Sequence, residues 1–84
     1  MKLTIKERAW VEEVNEVLSR CPSKRLGFFT IGDPSVGIYD RTREGEIDTL
    51  LDTGKWEFCT AANSIEALAV ATLEFPAAVQ STAG

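Results

Sequence analysis

The stretch RLGFFTIGDPSVGIYDR, residues 25–41, constrains this chain more than any other. Aromatic and β-branched residues flank Gly32-Asp33-Pro34-Ser35 on both sides. Asp before Pro starts a type I turn, because the Asp side chain caps the turn and Pro presets φ. The flanks therefore predict two strands, about residues 25–31 and 36–41, joined as a hairpin. Leu26, Phe28 and Thr30 fall on one face, and Gly27, Phe29 and Ile31 on the other. Both faces carry large apolar groups, and a bare two-stranded hairpin is marginal in water. The rest of the chain must supply cover on more than one side.

Residues 4–21 offer the first cover. Thr4-Ile5-Lys6-Glu7 has the form of a capping box, with the Thr4 hydroxyl and Glu7 carboxylate each serving a free backbone N–H. Apolar residues recur at Ile5, Ala9 or Trp10, Val14, Val17, Leu18 and Cys21, the 3.6-residue period of a helix. Pro22 stops it, so a helix is predicted over about residues 5–20.

Further along, Thr42-Arg43-Glu44-Gly45 reads as a turn. Ile47, Thr49 and Leu51 alternate with charged residues, which predicts a third strand, although Leu50-Leu51 also admits a short helix. Asp52-Thr53-Gly54 then turns the chain. In KWEFCTA, residues 55–61, Trp56, Phe58 and Thr60 alternate and predict a fourth strand. Asn63 or Ser64 would cap a last helix carrying Ile65, Leu68, Ala69, Thr72 and Leu73, with Pro76 ending it. The expected fold is α+β: an N-terminal helix, an antiparallel β-meander of three to four short strands, and a C-terminal helix packed on the sheet. All 84 residues form one domain, with about 78–84 as a frayed tail.

Composition narrows the function. The net charge is −4, and its distribution is uneven. Residues 1–43 carry eight Lys/Arg against six Asp/Glu, while residues 44–84 carry one Lys against seven Asp/Glu. This acidity argues against a nucleic-acid binder that works by neutralising phosphates. No apolar run approaches the ~18 residues of a membrane span, and MKLTIKERAW puts charges where a signal peptide needs an apolar core. A cytoplasmic protein with no membrane contact is expected. The chain has no histidine, which removes the commonest general base and metal ligand. Its two cysteines, Cys21 and Cys59, are read as reduced core thiols. No metal and no cofactor are expected; no glycine pattern fits a phosphate-binding loop.

One short motif invites chemistry. Leu50-Leu51-Asp52-Thr53-Gly54 resembles the catalytic signature of the aspartic proteases over about seven residues. The resemblance implies that Asp52 is an acid/base sharing a proton with a second aspartate across a dimer. The departures are Lys55 where that family has Ala or Ser, and a helix where it begins with strands. The turn is the preferred reading, and the chain is read as not an enzyme.

The remaining expectation rests on grease. Two Trp, four Phe and one Tyr are many rings for so short a chain. A protein-interaction or regulatory module follows, self-associating as a homodimer or docking on a protein partner. Trp10, Phe29, Tyr39 and Trp56 are the candidate contacts, with Glu46 and Asp48 as candidate polar contacts. An acidic inhibitor or nucleic-acid-mimicking decoy is the first alternative, carried by Glu44, Glu46, Asp48, Asp52 and Glu57 on neighbouring strands. A single-strand nucleic-acid binder is the second, carried by Phe28, Phe29 and Tyr39 beside Arg20, Lys24, Arg25, Arg41 and Arg43. In size and plan the chain is similar to small accessory proteins of bacteria and their prophages.

Overall fold

The structure, a computed structural model, describes residues 1–81. The fold is α+β, with three α-helices and a three-stranded antiparallel sheet. Helix α1 spans Ile5–Ser19 and opens on the capping box: the Thr4 N–H donates to Glu7 Oε1 at 2.8 Å, and the Glu7 N–H to Thr4 Oγ1 at 3.1 Å. Strands β1 (Leu26–Phe29) and β2 (Ser35–Asp40) form the hairpin. Its loop is held by Asp33, whose Oδ1 accepts from the Ser35 N–H at 3.0 Å, and by Gly32 in the left-handed region at φ 92°.

The register sets Gly27 opposite Tyr39 and Gly37 opposite Phe29. Each ring lies over the glycine across from it, in the space a Cβ would occupy. These glycines therefore let two large rings lie flat on one face of the sheet, an arrangement known to rescue glycine within strands.

Beyond β2 the chain departs from the expected strands. Arg41–Arg43 is a single turn of 3-10 helix, capped by Asp40, whose Oδ1 accepts from the Thr42 N–H at 3.0 Å. Glu44–Leu51 is helix α2, not a strand, and Gly45 lies within its first turn. Ile47, Leu50 and Leu51 occupy i, i+3 and i+4, so one helical face reaches the core while Asp48 and Thr49 stay outside. The predicted strand at 55–61 is also corrected. Phe58–Ser64 is helix α3, with Phe58, Ala61, Ala62 and Ile65 at helical spacing. Its Phe58 ring packs on Phe29 and Tyr39.

The helix expected to begin at Asn63 does not form; α3 ends there instead. Glu66 adopts φ 57°, its N–H donates to the Asn63 carbonyl at 3.0 Å, and the Ala67 N–H reaches the Ala62 carbonyl at 2.9 Å. These two bonds are the usual left-handed helix stop, with glutamate where glycine is the norm. The chain then returns along β2 as the far edge of the sheet. The Asp40 N–H donates to the Ala67 carbonyl, the Ala69 N–H donates to the Ile38 carbonyl, and β3 (Leu73–Glu74) pairs with Ser35 and Val36. Residues 70–72 loop outward between these contacts. The last described segment is tied to the hairpin loop, with the Phe75 N–H on the Pro34 carbonyl and the Val79 N–H on the Asp33 carbonyl. Part of the tail expected to fray, residues 82–84, lies outside the described residues.

The core is small. Ile47, Ala61, Ala62 and Ala67 are buried together, ringed by Tyr39, Leu50, Leu51, Phe58, Ile65 and Leu68. Ile47, at 1 % exposure, is the one large side chain fully enclosed among the described residues. Ile47→Ala is expected to cost roughly 2–5 kcal/mol in urea unfolding. Glu66→Gly is expected to raise stability by roughly 0.5–1 kcal/mol in the same measurement, because glycine removes the left-handed penalty at a modest entropic cost.

Candidate functional site

Helix α1 carries an apolar stripe yet buries none of its residues. Trp10 is 52 % exposed, Val17 60 % and Leu18 49 %, while Val11 and Val14 are half-buried. The stripe faces the sheet side that bears Leu73 and Phe75, which project opposite to the Phe29–Tyr39 side. Between them lies an open apolar groove of about 340 Å³, lined on one wall by Trp10, Glu13, Val14, Val17 and Leu18 and on the other by Leu73 to Pro76. Trp10 also borders a second hollow, beside Leu3, Lys6, Glu7 and Val11.

The molecule is extended for its length. Its radius of gyration is 15.3 Å, against about 12 Å for a compact chain of this size. Its accessible surface is 6739 Å², against about 4,900 Å² for a compact monomer of this mass. Poor seating of α1 accounts for this, since an amphipathic helix normally buries its stripe.

The candidate residues divide into three places. Trp10 stands at the groove. Phe29 and Tyr39 lie on the other side of the sheet, half-buried against Phe58, with ring centroids 5.2 and 5.1 Å from it. Trp56 sits in the loop between α2 and α3, 36 % exposed. Glu46 and Asp48 are on α2, and the Glu46 carboxylate is clasped by Arg43 through Nε and Nη2 at 2.6 Å each. The structure thus separates Trp10 from the other rings and brings Val17, Leu18, Leu73 and Phe75 to it instead. Val17 and Leu18 were visible in sequence as part of a stripe; Leu73 and Phe75 were hidden because their segment read as helix.

The other constellations are rearranged too. The acidic residues of the decoy arrangement do not lie on neighbouring strands: Glu44, Glu46 and Asp48 are on α2 and Asp52 caps its C-terminus. Of the basic residues read beside aromatics, Arg25 approaches Asp40 at 4.0 Å, Arg41 approaches Glu44 at 3.8 Å and Arg43 holds Glu46. Asp52 is exposed where the chain turns, with Gly54 at φ 73°. Cys21 is exposed at the end of α1, which corrects its expected place in a core. Cys59 is half-buried on α3, and burial followed by the neighbouring Glu57 charge pushes its thiol pKa up, so it stays protonated. Among the described residues no group of three or more His, Cys, Asp or Glu side chains could hold a metal ion. No described helix is long and apolar enough to cross a membrane. Neither a family model, a curated protein nor a solved structure matches the chain.

Tyr39 brings a polar group to the edge of the core. Its hydroxyl donates to Glu44 Oε1 at 2.6 Å, and that bond, then burial, raises its pKa above 10.0. A raised folded pKa contributes stability that is fully present below the unfolded value and is lost as pH rises through the folded one. The chain has one tyrosine, so tyrosinate absorbance reports this group alone. Glu44→Ala is expected to move that titration back toward the ordinary value, and to reduce the loss of stability above pH ~10.

Proposed function

We propose that this chain is a non-catalytic interaction module that docks on protein through the apolar face of α1 and the groove beside it. One observation carries the reading. A fifteen-residue amphipathic helix presents Trp10, Val17 and Leu18 to solvent and has no buried residue of its own. Contiguous apolar surface of this kind, rimmed by polar groups, is the mark of an interaction site. The rim here includes Lys6, Glu7 and Glu13.

Chemistry finds less support. Asp52 sits alone on a helix end, and Cys59 is held in its unreactive form. The single-strand platform reading has less support: Phe29 and Tyr39 pack on Phe58, Phe28 points to the other side of the sheet, and Arg25, Arg41 and Arg43 lie beside carboxylates.

The reading requires the α1 face to be spare in folding. A Val17→Asp/Leu18→Asp variant, compared with the native chain at dilution that keeps both monomeric, is expected to retain cooperative urea unfolding. The change in stability should stay within about 1–2 kcal/mol, the cost of two aspartates in the last turn of a helix. A loss of several kcal/mol, or of the transition itself, would show that this face is core and would remove the proposed function.

A further inference from the structure

We infer that the occupant of this face is α1 of a second copy, laid antiparallel across a two-fold axis. The inference rests on the docking role proposed for α1 and names its partner.

The spacing of the stripe specifies the seam. Trp10, Val14 and Val17 are spaced by four and three along α1, the repeat with which two helices pack along a shared line, and Cys21 follows just beyond the helix end. With the axis between Asn15 and Glu16, Val14 lies opposite Val17 of the partner subunit, and Trp10 lies beside the end of the partner's helix. The central layers of that register are apolar. Leu18 flanks the seam on one side and closes it against water.

Charge picks the direction. Glu13 and Arg20 are seven residues apart, so they fall on the same flank of the helix, and in an antiparallel pair like flanks meet. Glu13 then faces Arg20 of the partner subunit, and the symmetry repeats the pair. A parallel pair sets Glu13 against Leu18 of the partner subunit, with no cation in reach, and aligns the two helix dipoles head to head. The groove agrees with this choice. The acidic side chain on its α1 wall is Glu13, and the segment that would enter carries Arg20. Arg20 is exposed and held only by Glu16 at 3.2 Å on its own helix, so it is free to exchange partners at little cost.

The order of charges along α1 points the same way. Lys6 and Arg8 outnumber Glu7 near its N-terminus, and Glu12, Glu13 and Glu16 outnumber Arg20 toward its C-terminus. That order opposes the helix macrodipole and weakens the isolated helix slightly. It becomes favourable when a second helix runs the other way, because each basic half then meets an acidic half.

Sedimentation equilibrium of the full chain tests the inference. The native protein is expected to dimerise reversibly. Glu13→Arg and Arg20→Glu should each raise the dimer dissociation constant about tenfold, since each change disturbs two symmetric pairs. The double variant Glu13→Arg/Arg20→Glu should return it to the native value. Both positions of the test are solvent-exposed, and circular dichroism checks that each variant is folded. A native chain that stays monomeric at every concentration overturns the second-copy inference, and so does a double variant no better than the singles. Either result leaves the stability test of Val17→Asp/Leu18→Asp unaffected, so failure of the inference is distinguishable from failure of the docking role.

Discussion

The contact on which the body of this protein depends is the Phe58 ring set between Phe29 and Tyr39. The hairpin supplies two rings and the α2–α3 pair supplies the third, with centroids 5.1 to 6.3 Å apart in tilted and edge-on arrangements. Such geometries suit the ring quadrupoles and add to the burial of three large surfaces. Gly27 and Gly37 make the cluster possible, because a Cβ at either would strike the ring opposite. Around it the filler is small. Ala61, Ala62 and Ala67 let α3 and the returning edge come close, and the Tyr39 hydroxyl fastens α2 through Glu44. The hydrophobic term is therefore concentrated in a few residues on one side of the sheet.

What the sequence revealed depended on whether its signals were local. The capping box at Thr4 and Glu7 and the Asp33-Pro34 loop are satisfied within four residues, so they are readable without knowing the fold. Residues 46–61 were not. Ile47-Leu50-Leu51 and Phe58-Ala61-Ala62-Ile65 have helical spacing, but Trp56-Phe58-Thr60 alternates as a strand does, and over so short a run both periods fit. Burial of one alanine-rich face decided for the helix, and that is a tertiary fact. The missed stop at Glu66 has a similar cause. A left-handed stop is recognised by its glycine; here a glutamate takes the strain, and the backbone bonds to Asn63 and Ala62 hold it there.

The same distinction governs the candidate site. An apolar stripe announces that a face avoids water and is silent on what it meets. Trp10, Phe29, Tyr39 and Trp56 are all large rings, and nothing in their own neighbourhoods separates the two that meet Phe58 from the two that open onto solvent. That separation comes from register: Phe29 and Tyr39 point to the α3 side of the sheet, while Leu73 and Phe75 point to the α1 side. Phe28 also points away from Phe58 and stays 46 % exposed, so the two sides are unequally covered.

That inequality links stability to assembly. One side of the sheet holds the ring cluster and the two short helices; the other holds a groove and a helix that buries nothing. A chain this short has little surplus stability, because folding hides a smaller share of its surface than in larger domains. Leaving fifteen helical residues outside the core forgoes the packing from which most helices draw their stability. An amphipathic helix in this position is maintained by its cap and by whatever covers its stripe. The proposed docking would transfer that apolar surface from water and stabilise the whole chain by mass action, so folding and docking would be linked equilibria. On the docking role proposed for α1, the extended shape of the single copy is that of a subunit whose second hydrophobic layer a partner would complete.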